Sequence, residues 1–365
     1  MSIFRRLYRG ETNFDFVGSR RRWYLASLII IVICVLSFVL RGFNWGIEFK
    51  GGSQFQINAA GTSITATQAE TAFSNAGVQP ADAARVVGSG STRQIVVKTQ
   101  NTTPTQQASV KAKVTRELGL PSNSISVMSV SSSWGHDITV KAIEGLIIFL
   151  IVVSIYLSIR FQWRMAVGAF IALVHDLVVA AGIYSLVGFE ITPSTVVGLL
   201  TILGFSLYDT VVVYDKVAEN SRDILAGSRM TFSEAANLAV NQTLMRSINT
   251  TIIALLPVAG LLFVGAGVLG VGTIKDLALI LFVGLASGAY SSLFLATPIV
   301  CDLTERQPAY KALAKRVAAK RASEAAKVAT AEPALAGAAA AAPRRTGGPA
   351  PAPRPGARPQ RARRR

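Results

Sequence analysis

The chain has 365 residues, a charged fraction of 16% and a net charge of +17. Its mean hydropathy of +0.43, carried on long apolar runs, excludes an ordinary soluble enzyme and indicates a polytopic membrane protein. The positive charge does not point to nucleic acid, because fifteen of the 37 Lys and Arg residues follow Cys301 in a tail rich in Ala, Pro and Arg. Charge so placed reports on topology and on contact with anionic lipid surfaces. The two cysteines, Cys34 and Cys301, are far apart and show neither a disulfide framework nor metal spacing.

Residues 1–22 carry six arginines and precede the uncharged run Trp23–Leu40, bounded by Arg41. This predicts a first spanning helix over 23–41 with residues 1–22 in the cytoplasm. The run is too long for a signal-peptide core and no cleavage motif follows it.

Residues 42–138 then become polar. Gly46–Ile57 is expected as strand around a Gly51-Gly52 break, and Thr67-x-x-Glu70 as a capping box opening a helix that Gly77 closes. Ala84–Val87 and Arg93–Thr99 flank a hairpin turn, Pro104 opens a second helix that Gly119 stops, and Ser124–Val130 alternates as a last strand. The order β-α-β-β-α-β predicts an α+β ferredoxin-like domain, placed outside the cytoplasm. An irregular loop of ~95 residues would exceed the usual loop lengths.

Five further spans are predicted within 139–301: Ile143–Ile159, Met165–Val187, Thr195–Tyr214, Ser247–Gly267 and Leu277–Val300, with Pro257 expected to kink the fourth of these. Residues 215–246 are expected as a polar, partly helical cytoplasmic loop. Six spans put both termini in the cytoplasm. The tail, 302–365, is expected to begin as a basic helix over Tyr310–Ala329 and to end in a disordered Ala/Pro/Arg segment. An electrostatic anchor to anionic lipid is its main reading, and contact with RNA the lesser one.

Three polar sites break the apolar runs. His175 and Asp176 lie ten and eleven residues into the third span, so ~15 Å deep. Asp209 lies six residues before Asp215, roughly 9 Å from the expected inner end of its helix. Arg246 stands at the start of the fifth span, within snorkelling reach of Asp209. A carboxylate paired with arginine or protonated within the bilayer is an element of a proton relay, and a static polar lock between helices is the other reading. Gly284-x-x-x-Gly288, with Ser291 and Ser292 nearby, permits close helix packing. The sequence shows no Walker loop, nucleophile elbow or metal cluster. No cofactor and no enzymatic activity are therefore expected, and energy must come from a partner or an ion gradient.

Three stretches carry a family resemblance: GIEFKGGS after the first span, LGFSLYDTVVVYDKVAEN in the fourth, and RSINTTIIALLPVAGLLFVGAG in the fifth. They resemble the SecF subunits of the bacterial SecDF complex, within the resistance-nodulation-division superfamily, over residues ~20–300. The motif positions are Gly46, Glu48, Gly51, Gly52, Ser206 and Thr210. Two departures are Glu48, where the family usually has Asp, and Tyr208, where it usually has Asn. The resemblance implies a subunit that pairs with SecD and uses the proton-motive force to promote preprotein translocation and release. The channel SecYEG, the ATPase SecA and YajC are implied as further partners. It also implies that Asp209 is the relay acid and Arg246 the arginine working with it.

Overall fold

In the computed structural model the described residues are 14–88, 90–266 and 272–341, with only the backbone described for 266, 272–274 and 328–341. The expectations for residues 1–13 and 342–365 lie outside them. Among the described residues, six helices are long and apolar enough to cross a membrane.

The elements run α1 (Arg20–Arg41), β1 (Asn44–Trp45), a helical turn α2 (Ile47–Lys50), β2 (Gly52–Asn58), α3 (Ala66–Asn75), β3 (Arg85–Val87), β4 (Gln94–Thr99), α4 (Pro104–Glu117) and β5 (Ile125–Val130). There follow α5 (Ser132–Arg160), α6 (Trp163–Val187), β6 (Glu190–Ile191), α7 (Pro193–Asn220), α8 (Phe232–Gly260), α9 (Gly272–Ser291), α10 (Thr297–Glu305) and α11 (Pro308–Ala341). A π-helical turn, Leu261–Ala266, extends α8, and another, Ser292–Ala296, joins α9 to α10.

The domain between α1 and α5 has the expected order of elements. Its four strands pair antiparallel in the order β3-β4-β2-β5, the ferredoxin-like arrangement. Alternation sends Phe55, Ile57, Ile95, Val97 and Ile125 to one face, where they bury against Ala69 and Phe73 of α3 and Val110 and Val114 of α4. Phe55 and Phe73 meet edge to face at 4.9 Å.

Two local expectations are corrected. Ile47–Lys50 is a helical turn, not strand: the Gly51 N–H closes it on the Ile47 carbonyl at 2.8 Å, and the positive φ of Gly51 (73°), which glycine allows, leads the chain out into β2. The first capping box is Thr65 with Gln68. Glu70 instead turns outward from the helix and accepts the Ala84 N–H at 2.6 Å.

The helices outlast their apolar runs. Hydropathy marks only where side chains would meet lipid, while helix ends are set by caps. α7 continues past Asp215 to Asn220, and α8 begins at the Thr231–Glu234 capping box. The expected loop 215–246 therefore shrinks to 221–231. Pro257 lies inside α8, four residues before the π turn at Leu261. A two-residue parallel pairing, Asn44–Trp45 with Glu190–Ile191, ties the end of α1 to the α6–α7 connection. Residues 315–341 form a unit of their own, and helix α11 runs through them to Ala341, past the expected end at Ala329.

Candidate functional site

The site forms where α7 packs on α9. Ile202, Ser206, Asp209 and Val213 recur every three to four residues, so they share one face of α7. Gly284 and Gly288 sit against that face. A Cβ on Gly284 would lie 2.2 Å from Ile202 Cδ1, and one on Gly288 would lie 3.0 Å from Ser206 Cβ. The missing side chains let the helices approach closely, as the Gly-x-x-x-Gly spacing predicts. That approach carries the serines of α9 and its π turn onto two acids.

Asp176, on α6, is 1% exposed. Its carboxylate accepts hydrogen bonds from Ser206 (2.6 Å), Ser287 (2.7 Å) and Ser291 (2.7 Å). The neighbouring His175 places Nδ1 at 3.3 Å from it. The other nitrogen of His175, Nε2, is buried without a protein partner, and its ring lies 6.0 Å from that of Tyr290.

Asp209 is half-buried. Ser247 of α8 donates to it at 2.6 Å and Ser292 at 2.5 Å. It also lines a cavity of about 30 Å³ with Thr250, Thr251 and Ala289, room for one or two waters. Among the described residues neither Asp176 nor Asp209 pairs with Lys or Arg. Their partners are mainly hydroxyls, which both donate and accept. The same shell therefore serves a carboxylate or a protonated acid.

Arg246 does not reach Asp209. Its guanidinium donates to the Tyr208 hydroxyl at 3.2 Å and is exposed. One residue along a helix turns by about 100°, so Ser247 faces α7 where Arg246 faces out. Tyr208 is thus the arginine's partner. Asp215 pairs with Arg160 at 2.6 Å, both exposed. Thr210 bonds back to the Ser206 carbonyl at 3.0 Å within α7.

The remaining motif residues form a second, separate cluster beside the α+β domain. Gly46 donates to the Ile191 carbonyl at 2.9 Å. A Cβ there would lie 2.3 Å from Glu48 Oε2. A Cβ on Gly51 would come within 2.7 Å of Ser132 Cα, and one on Gly52 within 2.7 Å of the Thr99 carbonyl oxygen. Lys98, on β4, pairs with Glu190 at 2.8 Å. With Glu48, Lys275 and Asp276 these two line a groove of about 700 Å³.

Burial pushes the Glu48 carboxyl up; Glu190 adds to the shift and Lys98 opposes it. The folded state therefore holds this proton to higher pH than the unfolded chain does. Stability should fall as pH rises from the ordinary carboxyl value through the raised one. Glu48→Gln should flatten that dependence in thermal melts recorded between about pH 4 and 7. A melt profile unchanged by the substitution would remove Glu48 as its source.

Sequence reasoning missed five serines as ligands of the acids: Ser247, Ser287, Ser291 and Ser292, and Ser206, which was read only as a motif position. The available signal was serine at i and i+4 (287 and 291) on the helix bearing the glycine motif.

Comparison with known proteins agrees with this arrangement. The family described as "Protein export membrane protein SecD/SecF, C-terminal" matches residues 110–306, and the "SecD/SecF GG Motif" matches 36–62. The protein translocase subunit SecF of Streptomyces coelicolor is 49% identical over 332 residues, covering 90% of this chain and 87% of that protein. Its counterpart in Mycobacterium tuberculosis is 43% identical over 329 residues, covering 88% and 74%. A crystal structure of SecDF, a translocon-associated membrane protein from Thermus thermophilus, matches with a TM-score of 0.71 at 28% identity. That match covers 81% of this chain but 39% of the SecDF chain, so this chain spans about two fifths of it. With matches of this identity and coverage, on a six-helix bundle carrying the α+β domain and the glycine motif, the chain belongs to the SecF family of protein translocase subunits.

Proposed function

We propose that this chain works with a SecD partner to couple the proton-motive force to preprotein translocation and release across the cytoplasmic membrane. The observation that carries this reading is Asp209: a carboxylate midway along an apolar helix, bound by two serine hydroxyls beside a water-sized cavity. Such a group can bind and release a proton where a fixed ion pair cannot. On this reading the chain is a proton-driven subunit and not an enzyme. Arg246 on Tyr208 is then a residue held near the relay, and Asp176 with His175 forms its inner part.

SecD as partner is supported by the SecDF relatives, in which the matched segment is 40% of one longer chain. SecYEG, SecA, YajC and the preprotein come from the family resemblance. Membrane lipid is the expected surrounding of exposed apolar side chains such as Leu28, Ile155, Ile253 and Leu256. No nucleic-acid partner is proposed.

The second reading is a passive scaffold. It is favoured by one observation: Asp176 has three serine donors, as a static lock requires. Preprotein release from vesicles of the assembled complex, with and without an uncoupler, separates the two. Release that ignores the gradient would leave the scaffold.

The same proposal places both termini in the cytoplasm and 42–138 outside. With Cys34 and Cys301 replaced, a cysteine at Ser91 should react with an impermeant thiol reagent in intact cells, and one at Ser228 should not. The reverse pattern would invert the topology.

A further inference from the structure

We propose that Ser291 and Ser292 are a positioning pair that ties the charge states of Asp176 and Asp209 to one π-helical turn. This rests on the proton-coupled reading above. The two serines are consecutive, at the junction of α9 with the π turn Ser292–Ala296. Each serves a different acid: Ser291 donates to Asp176 at 2.7 Å, and Ser292 to Asp209 at 2.5 Å.

Each hydroxyl also has a second acceptor in its own helix. Ser291 Oγ lies 3.2 Å from the Gly288 carbonyl, and Ser292 Oγ 3.2 Å from that of Ala289. A hydroxyl has one proton and two acceptors to choose between. When the acid is ionised, the proton points to the carboxylate. When the acid takes up a proton, it donates to the serine oxygen, and the serine donates to the carbonyl three residues back. No proton leaves the serine in either state, and every group stays bonded. The switch keeps the bond between helices with its direction reversed, and commits the serine proton to its own helix.

The turn is placed to respond. π-helical turns are rare and occur frequently at functional sites. Here Tyr214 of α7 donates to the Ala296 carbonyl at 3.2 Å, and Thr297 to the Ser292 carbonyl at 3.4 Å. Phe294, inside the turn, stacks on Tyr290 at 5.3 Å and meets Trp23 of α1 at 4.3 Å. A change of partner at Ser291 or Ser292 is thus felt on α1 and α7 as well as at the acids.

The test uses the chain assembled with its SecD partner in sealed vesicles. Infrared difference spectra give each acid's carboxyl band, assigned by its loss in Asp176→Asn or Asp209→Asn. With both serines intact, Asp209→Asn should shift the Asp176 band. In Ser291→Ala/Ser292→Ala that response should vanish, and gradient-dependent export should fall about tenfold, within the range of ordinary site coupling. Ser292→Thr alone, which keeps both hydroxyls, should leave the response and the export as in the wild type. Should the alanine pair fail to assemble, Ser292→Cys, close in size with a weaker donor, must show the same loss. Wild-type export together with an Asp176 band that still answers to Asp209→Asn in the alanine pair would overturn the proposal. If export ignores the gradient even without substitutions, the proton-coupled reading fails instead, and the band response alone then decides whether the serines link the acids.

Discussion

Asp209→Asn should abolish the gradient-dependent part of export, by at least about tenfold, while the amount of assembled complex stays unchanged. The amide has nearly the shape of the acid. Its oxygen still accepts from one of Ser247 and Ser292, and its nitrogen donates to the other, since both partners are hydroxyls. What the amide cannot do is exchange a proton with the cavity beside it. Asp209→Glu keeps that ability but moves the carboxyl one methylene off its place between Ser247 and Ser292, so partial activity is expected. Arg246→Ala should have a smaller effect than either, because that guanidinium touches Tyr208 and not the acid. The scaffold reading expects a different order: the amide tolerated, and any loss of export matched by loss of complex. Preprotein release with and without a gradient, measured beside the yield of complex with SecD, tells the two apart. Normal, gradient-responsive release by Asp209→Asn would falsify the relay role of this residue and move attention to Asp176.

Much of this architecture is legible in the chain because its signals are local. The spans follow from apolar runs, and the β-α-β-β-α-β order from alternation punctuated by Gly and Pro. Asp209 stands out because an acid in an apolar helix needs an explanation. What failed to show was decided by packing among several elements. Ser291 and Ser292 read as small residues for close helix contact, and Ser287 carried no reading. Their hydroxyls find Asp176 and Asp209 only once α6, α7 and α9 are brought together. The choice of Ser247 over Arg246 as Asp209's neighbour is a matter of one residue's turn around α8, finer than an apolar pattern resolves. Thr65 and Thr67 each begin a Thr-x-x-Gln/Glu spacing, and the competition was settled by Ala84, whose N–H takes Glu70. The β1–β6 pairing is two residues long, too short to leave a sequence signature.

The second large effect is expected at Asp176, and there the two substitutions should part. Asp176→Ala removes the common acceptor of three serine hydroxyls contributed by α7 and α9. Ser291 has a fallback in the Gly288 carbonyl; Ser206 and Ser287 lose the acceptor that joins their helices to α6. Leaving a buried donor unsatisfied costs about 1–3 kcal/mol in soluble proteins, and interhelical hydrogen bonds in membranes average nearer ~0.6 kcal/mol. With several bonds lost at once and a small void left behind, a destabilisation of about 2 kcal/mol is expected. It should appear as a lower melting midpoint in detergent and less complex with SecD. Asp176→Asn fills the same volume and keeps an acceptor, so its melting midpoint should stay close to wild type. Its gradient-dependent export should nevertheless fall, because an amide beside His175 cannot take the proton that the acid can. A melting midpoint unchanged in Asp176→Ala would show that the serine shell does not hold the bundle. Asp176→Asn exporting normally would confine proton exchange to Asp209 and leave Asp176 as the anchor on which α7 and α9 are hung.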